Sequence, residues 1–433
     1  MEVRIESLAY GGDGIARPGG AVVFVPYTAP GDRAVVEVTA EKKGYRRARL
    51  IEITDPSPLR TAPRCPLFSR CGGCHLQHMA YQAQLRWKSA ILEETLRRIG
   101  RIDCPRPEPP VGAGHPFHYR RKARFHIEAG KWGFFAPGSH DVVDMESCPL
   151  LHPALNSLLG TFRTVLAPLA PDSGLHTLEI ALAADPAVSA ALVRMEGRNG
   201  QAVSDAVECV PGLRGFEVWS APRRRRGRGA QRGRRLERRG ELTLESRVGG
   251  LALRRPAGSF AQAGDEQNER LVGLAAAYAA LTGSEVLVDL YCGCGNFTLP
   301  LSAGASEAAG IERDGAAVRA AVKNARRAGL SAVRFFRADA LRWLRGEEGT
   351  KLLENRKPRV VLLDPPRTGC GVVAEAVAEL APERIVYISC SPPTLARDAA
   401  ILADRGYRLE RVRMVDMFPQ TYHIEAVALF QRR

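Results

Sequence analysis

No run of about 18 apolar residues interrupts the 433-residue chain, so no membrane-spanning helix is expected. The opening MEVRIESLAYGGDG also lacks the basic-then-apolar layout of a signal peptide. Both absences lead to the expectation of a soluble, cytoplasmic protein without membrane attachment. Acidic charge is short as well. Against 62 Lys and Arg stand 47 Asp and Glu, leaving a net charge of +15. That balance suits a polyanionic partner but does not separate RNA from DNA. Ten cysteines are present. In a cytosolic chain they point to metal binding or catalysis rather than a disulfide framework. The length allows two or three domains with sizeable cores.

The excess charge is unevenly spread. Residues 223–239 hold ten arginines and one acid, Glu237. This Gly-broken, apolar-poor run reads as a solvated loop, either a solubilising insertion or an arm that contacts phosphates. Residues 1–55 read as a small β-barrel: short β-rich runs alternate with turns such as GGDG, RPGG and APGD. Within it Lys42, Lys43, Arg46, Arg47 and Arg49 surround Tyr45. That pattern fits single-stranded nucleic acid or an ordinary exposed hairpin.

After a proline-rich boundary at 56–63 comes RCPLFSRCGGCHLQH, which spaces Cys65, Cys71 and Cys74 as C-x5-C-x2-C. Cys148 is available as a distant fourth thiolate, and His75 or His78 could replace one. Four thiolates serve either zinc or an iron–sulfur cluster, and spacing alone does not decide. The C-x3-C-x2-C spacing of radical chemistry is missing. Residues 81–99 carry helical periodicity, with Leu85, Ile91, Leu92, Leu96 and Ile99 as the apolar face. A proline-rich connector at 105–110 follows. Residues 117–255 mix strands with a helix near 155–166, and Tyr119 to Lys122, Arg124 and His126 place cations on a strand.

From about residue 271 strands and helices alternate, which implies a doubly wound parallel α/β sheet with its ligand at the strand C-termini. The last two β-runs, 409–414 and 424–430, would form an antiparallel edge. In DLYCGCGNFTLP, Gly293 and Gly295 permit a tight turn under a ligand, and Glu312 follows where an acid addresses ribose hydroxyls. Thr298 stands where a pyrophosphate loop needs its third glycine. A nucleoside without pyrophosphate, such as S-adenosylmethionine, therefore fits better, with Asp339 free to address an adenine. The next strand ends in Asp364-Pro365-Pro366-Arg367, a rigid turn that presents a carboxylate to a flat base. In RIVYISCSPPTLARD, Cys390 ends a buried strand on that same edge. Pro392 and Pro393 open the following helix, whose N-terminal partial charge favours a thiolate. The alternative is a buried cysteine packed as a small hydrophobe.

The pieces SLAYGGDGIAR, FVPYTAPGD, CPLFSRCGGCHLQH, GSFAQ, DLYCGCGNFTLPL, DPPRTG, SCSPPTLARD and HIEAVALF span nearly the whole chain. In these the sequence resembles the bacterial RNA uridine-5-methyltransferase family, of the 23S rRNA type with a TRAM domain and an iron–sulfur cluster. The resemblance implies a TRAM/OB-like barrel at 1–55, a central α+β iron–sulfur and RNA-binding domain at 56–255, and a class I, Rossmann-like methyltransferase domain at 256–433. The helix at 81–103 would pack on the last of these. It further implies Cys65, Cys71, Cys74 and Cys148 on a 4Fe–4S cluster. Gln262, Tyr291, Asn296, Glu312, Asp339 and Asp364 would surround S-adenosylmethionine, with Cys390 as nucleophile and Glu425 as base. From the sequence alone Glu425 reads as an exposed edge residue. Ser391, Pro393 and Gly264 depart from the family pattern. The partner implied is RNA, 23S rRNA first, with no obligate protein partner. The alternatives are a tRNA uridine methyltransferase, a non-catalytic RNA-binding iron–sulfur protein, and a zinc-containing DNA base methyltransferase.

Overall fold

The computed structural model describes residues 1–169, 173–196, 199–220, 233–353 and 358–432. The first sheet holds β1 (Glu2–Arg4), β2 (Ser7–Leu8), β3 (Gly14–Ala16), β4 (Val22–Val25), β5 (Arg33–Lys42) and β6 (Tyr45–Asp55), ordered β1-β5-β6-β4-β3-β2. Alternate residues such as Val3, Val23, Val25, Ala34 and Val36 turn inward to form its core. Three of the five cations around Tyr45 in the basic hairpin β5–β6 have an acidic partner. Arg46 pairs with Glu41 at 2.8 Å, Arg49 with Glu37 at 2.5 Å, and Arg47 with Asp13 at 3.7 Å.

Helix α1 (Tyr81–Gly100) buries Leu85, Ile91, Leu92 and Leu96, whereas Ile99, expected on the same face, is exposed. The proline-rich connector is not merely a linker. It supplies β7 (Glu108–Val111), the outermost strand of the large C-terminal sheet, an edge position where missing proline N–H groups are tolerated.

The central sheet runs in the order β10-β9-β8-β11-β12-β13-β14. Its strands are β8 (Lys122–Glu128), β9 (Lys131–Phe135), β10 (Val142–Asp144), β11 (Leu175–Leu182), β12 (Ser189–Met195), β13 (Leu213–Ser220) and β14 (Arg235–Gly240). Helices α2 (Pro153–Leu166) and α3 (Gly200–Glu208) cover one face, packing Leu155, Phe162 and Val203 on Phe125, Leu178 and Val193. Residues 223–232 of the expected arginine-rich loop lie outside the described residues. Arg235 to Arg239 are in strand β14 instead, where long side chains alternate across the pleat.

A two-stranded hairpin, β15 (Thr243–Val248) and β16 (Leu251–Pro256), leads to α4 (Asp265–Ala279). Then follow β17 (Val286–Leu290), α5 (Thr298–Ser302), β18 (Glu307–Glu312), α6 (Gly315–Arg327), β19 (Val333–Arg337), α7 (Ala340–Leu344), α8 (Glu347–Leu353) and β20 (Val360–Leu363). The chain finishes with α9 (Val372–Glu379), β21 (Arg384–Ser389), α10 (Pro392–Asp404), β22 (Tyr407–Val415) and β23 (Glu425–Arg432). These strands form an eight-stranded sheet ordered β19-β18-β17-β20-β21-β23-β22-β7, with the five from β19 to β21 parallel, as a doubly wound fold requires. The last two runs do pair antiparallel, but not as an edge. Strand β23 lies between β21 and β22, and β7 closes the border. Among the described residues no helix is long and apolar enough to cross a membrane.

Helix α1 packs against α10 so closely that a Cβ at Gly100 would come within 3.0 Å of the Ala396 carbonyl. It is fixed there by a buried ion pair, Lys88 Nζ to Asp416 Oδ1 at 2.7 Å. Tyr81 donates to the other Asp416 oxygen at 2.9 Å and accepts from Ala113 N–H at 2.7 Å. Such a pair is tolerable only because these extra bonds satisfy it.

Candidate active site

Five parallel strands end along one edge, and each delivers a predicted site residue there. Tyr291 follows β17 in the left-handed region at φ 69°, Glu312 ends β18, and Asp339 follows β19 as the N-cap of α7. Asp364 follows β20 and Cys390 follows β21. The glycine loop turns at Gly293 and Gly295, both with positive φ. Glu312 braces it by accepting from Gly293 N–H at 3.3 Å and Asp314 N–H at 2.7 Å. Thr298, in place of a third glycine, donates to the buried Asp289 at 2.5 Å. Asn296 forms a reciprocal amide pair with Asn268 of α4, both bonds 2.9 Å. One N–H and one lone pair of its amide remain for a ligand. Gln262 lies half-buried on the loop before α4, and no hydrogen bond joins it to the other five among the described residues. Two residues earlier, Phe260 is 78% exposed.

The nucleophile candidate is built by long-range register. Ser389 pairs with Ala426, so one further step sets Cys390 opposite Glu425. Glu425 is buried inside the sheet, not exposed at its edge, because β23 is inserted between two neighbours. Burial pushes its carboxyl well above the usual range; Asp364 adds to this and Arg367 opposes it. Burial likewise raises Asp364 to about 7. The Cys390 thiol rises to about 11, through burial first and then the nearby Glu425, with Arg367 pulling it down. The expected start of α10 at Pro392 is present. Its partial charge does not dominate, since desolvation and carboxylate repulsion outweigh a helix end. From the first sheet Tyr10 reaches the same mouth, its ring 5.8 Å from that of Tyr422 and its phenol close enough to feel Cys390.

Asp398, not singled out by sequence, ties the two loops together. It accepts from the N–H groups of Cys370 and Gly371 at 2.6 and 3.1 Å and from the Tyr387 hydroxyl at 2.6 Å. Gly369 must be glycine beside it. Its φ is +76°, and a Cβ would lie 2.5 Å from Arg397 and 2.6 Å from Asp398. The only signal in the sequence was an acid at the end of the nucleophile stretch, eight residues after Cys390, which is too common to interpret.

The second thiol site lies beside the central sheet. Cys65, Cys71, Cys74 and Cys148 line one pocket with Leu67, Phe134 and Arg120. Gly72 N–H donates to Phe135 O at 2.9 Å, which fixes the three-cysteine loop on β9, and Cys148 N–H donates to Asn156 Oδ1 at 2.9 Å, which fixes the fourth cysteine on α2. Burial pushes Cys74 up to about 12, with the other three thiols adding to it. Among the described residues no three His, Cys, Asp or Glu side chains converge tightly enough to hold a single metal ion. Four thiols beside one guanidinium are a donor set that either zinc or an iron–sulfur cluster could use. His75 and His78 are not alternatives, for neither lines the pocket. Both pack inward, His78 fully buried, and burial lowers each to about 4.

Residues 1–51 match the TRAM domain, and residues 239–433 match the tRNA (Uracil-5-)-methyltransferase family model. The chain is 36% identical over 438 residues to the 23S rRNA (uracil(1939)-C(5))-methyltransferase of Pectobacterium atrosepticum, covering 99% of this chain and 93% of that one. It is 32% identical over 462 residues to an uncharacterized RNA methyltransferase of Halalkalibacterium halodurans, covering 100% and 96%. In fold it is similar to the tRNA (uracil-54, C5)-methyltransferase of Pyrococcus abyssi, solved with S-adenosyl-L-homocysteine, with a TM-score of 0.78, 23% identity and coverage of 99% and 100%. From these full-length similarities the chain belongs to the RNA uracil-C5 methyltransferase family.

Proposed function

We propose that this protein methylates C5 of a uridine in 23S rRNA, with Cys390 as nucleophile and Glu425 as base. The observation that carries the reading is the meeting of Cys390, Glu425 and Asp364 at one edge of the sheet. The full-length relative named for the same reaction supports it. S-adenosylmethionine, when bound, supplies an electrophilic methyl group, and Gln262, Tyr291, Asn296, Glu312, Asp339 and Asp364 would hold it. Uracil C5 is too weak a nucleophile to accept that methyl unaided. Addition of the Cys390 thiolate to C6 pushes electrons toward C5 and makes it carbanion-like. Once C5 is alkylated, Glu425 takes the C5 proton and the C6–S bond breaks, returning the thiolate. Covalent catalysis thus divides one hard step into easier ones. The burial that raises Glu425 also makes its carboxylate a stronger proton acceptor than one in water. The target base must leave its stack to reach this edge.

Cys65, Cys71, Cys74 and Cys148 would hold a 4Fe–4S cluster, and Arg120 would offset the charge of its thiolates. The domain division at residues 55 and 255 is part of the same reading, with α1 and β7 belonging by packing to the C-terminal sheet. A tRNA uridine is the second reading, favoured by the description of the matching family model. The test is a transcript carrying 5-fluorouridine, which has no C5 proton to lose. The expected result is a covalent protein–RNA adduct through Cys390, formed on 23S rRNA and not on tRNA. An adduct of equal yield with Cys390→Ala would remove the assigned nucleophile.

A further inference from the structure

The open face of the central sheet and helix α6 enclose a groove of about 1270 Å³ that none of the chemistry above uses. Directly paired residues share a face of a sheet. The register therefore lines up Arg124, Glu179, Leu192, Glu217 and Arg238 in one row across five strands. In the next row Arg194 pairs with Trp219, its guanidinium 5.7 Å from the indole centroid. The opposite wall is α6, where Arg319, Lys323 and Arg327 are spaced i, i+4, i+8 and all line the groove. Asn324, buried on the same helix, clamps α6 to β16 by bonds of 3.0 Å to both the N–H and the carbonyl of Arg254, so the wall is fixed.

The charge does not cancel. Every acid in the lining is engaged: Glu179 by Lys122 and Arg124, and Glu217 by Arg235 and the Trp219 N–H. Glu241 pairs with Arg214, and Asp314 caps α6 by accepting from Ala316 and Ala317 N–H. Among the described residues Arg194, Arg238, Arg319, Lys323 and Arg327 have no acidic partner. Like charges at i, i+4 destabilise a helix, so a three-residue cationic stripe facing a groove is a cost that a polyanion relieves. The groove also meets the active edge. Gly258, two residues before exposed Phe260, lines it, as does Asp314, two residues after Glu312.

We propose that this groove holds a single-stranded segment of the substrate RNA flanking the target base, with phosphates along α6 and a base stacked on the Arg194–Trp219 platform. The choice of RNA as occupant rests on the proposed function. Unpaired cations beside an aromatic side chain that lines a groove, as half-buried Trp219 does here, are what sequence-tolerant single-strand binding uses.

The test measures binding of the full chain to an unmodified 23S rRNA transcript between about 50 and 200 mM salt. The triple variant R319Q/K323Q/R327Q is expected to flatten the dependence of log affinity on log salt by about 2. Trp219→Ala is expected to weaken binding roughly tenfold while keeping the wild-type slope. Should the triple variant melt early, Lys323→Gln alone is expected to flatten the slope by about 0.7. Wild-type slope and affinity in folded variants would overturn the proposal. If the wild type methylates the transcript while the variants bind like it, the groove assignment falls and the uridine reading stands. If the variants lose binding but the wild type leaves every uridine unmethylated, the groove stands and the uridine reading falls.

Discussion

Two regions of this molecule take thiols out of water, and their neighbours differ in sign. Around Cys390 stand two carboxyls, Glu425 and Asp364, and one cation, Arg367. Around Cys65, Cys71, Cys74 and Cys148 stand other thiols, apolar side chains and Arg120. Burial raises Cys390 and Cys74 alike, to about 11 and about 12. The difference lies in what relieves it. The first site has a basic carboxylate beside the sulfur, suited to moving protons on and off a substrate. The second has no carboxylate in its lining; in the proposed cluster, metal cations would take the place of the thiol protons.

The largest effect separates the two sites outright. Cys390→Ala should lower methyl transfer by roughly 10⁴-fold or more and abolish the adduct, as loss of a covalent nucleophile does. It should leave any brown visible absorbance untouched. Cys74→Ala should do the reverse, bleaching that absorbance in anaerobically purified protein while Cys390 still traps 5-fluorouridine RNA. A colourless, zinc-loaded wild type would contradict the cluster assignment.

Next in size is Glu425→Gln. The loss of a general base costs about 10²- to 10⁴-fold. Because C–S bond formation precedes the step it removes, methylated RNA should remain attached to the protein on ordinary uridine. An equally slow variant with no trapped RNA would mean that Glu425 acts before addition.

A smaller effect comes from Arg367→Gln. The thiolate fraction of Cys390 grows with pH toward about 11, so the rate of adduct formation should climb through neutrality into the alkaline range. Arg367 pulls that thiol down, so its removal shifts the limb to higher pH and slows trapping several-fold at pH about 8. An unshifted limb would show that Arg367 does not face the sulfur in solution.

The smallest effect is on stability, and it also belongs to the sheet edge. Burial raises Asp289 to about 8, and among the described residues one of its oxygens is without a partner. Below about pH 4 both folded and unfolded chains hold its proton. Between there and about 8 the unfolded chain releases a proton that the folded chain keeps, so this group's contribution to stability falls as pH rises. Asp289→Asn should flatten that decline in thermal melts from pH about 5 to 8. Substitutions in the four-thiol pocket should leave the slope over that range as it is.

Much of the first region could be read in order along the chain. Cys390 at a strand end, the Asp364-Pro365-Pro366 turn, the glycine loop and Glu312 all follow local punctuation and period. The cysteine spacing marked the second region in the same way. What escaped was neighbourhood across strands. Glu425 looked like an edge residue because two β-runs without an intervening helix read as a terminal hairpin. The proline-rich connector looked like a linker because β7 has meaning only beside β22. The hairpin around Tyr45 looked more cationic than it is, its acids lying across the strand pair. The stripe on α6 passed unnoticed because a charged helix face is ordinary until a second wall confronts it.

By itself the sequence determined most of the element types, the parallel α/β plan, the thiol inventory and the family. These depend on residues close together in the chain, where backbone preference and side-chain period act directly. Only the tertiary structure decided which carboxylate lies beside Cys390, that Cys148 joins the other three cysteines, and that sheet and helix form a basic groove. Strand order and register are set by burial summed over the whole chain, and no local window contains that sum.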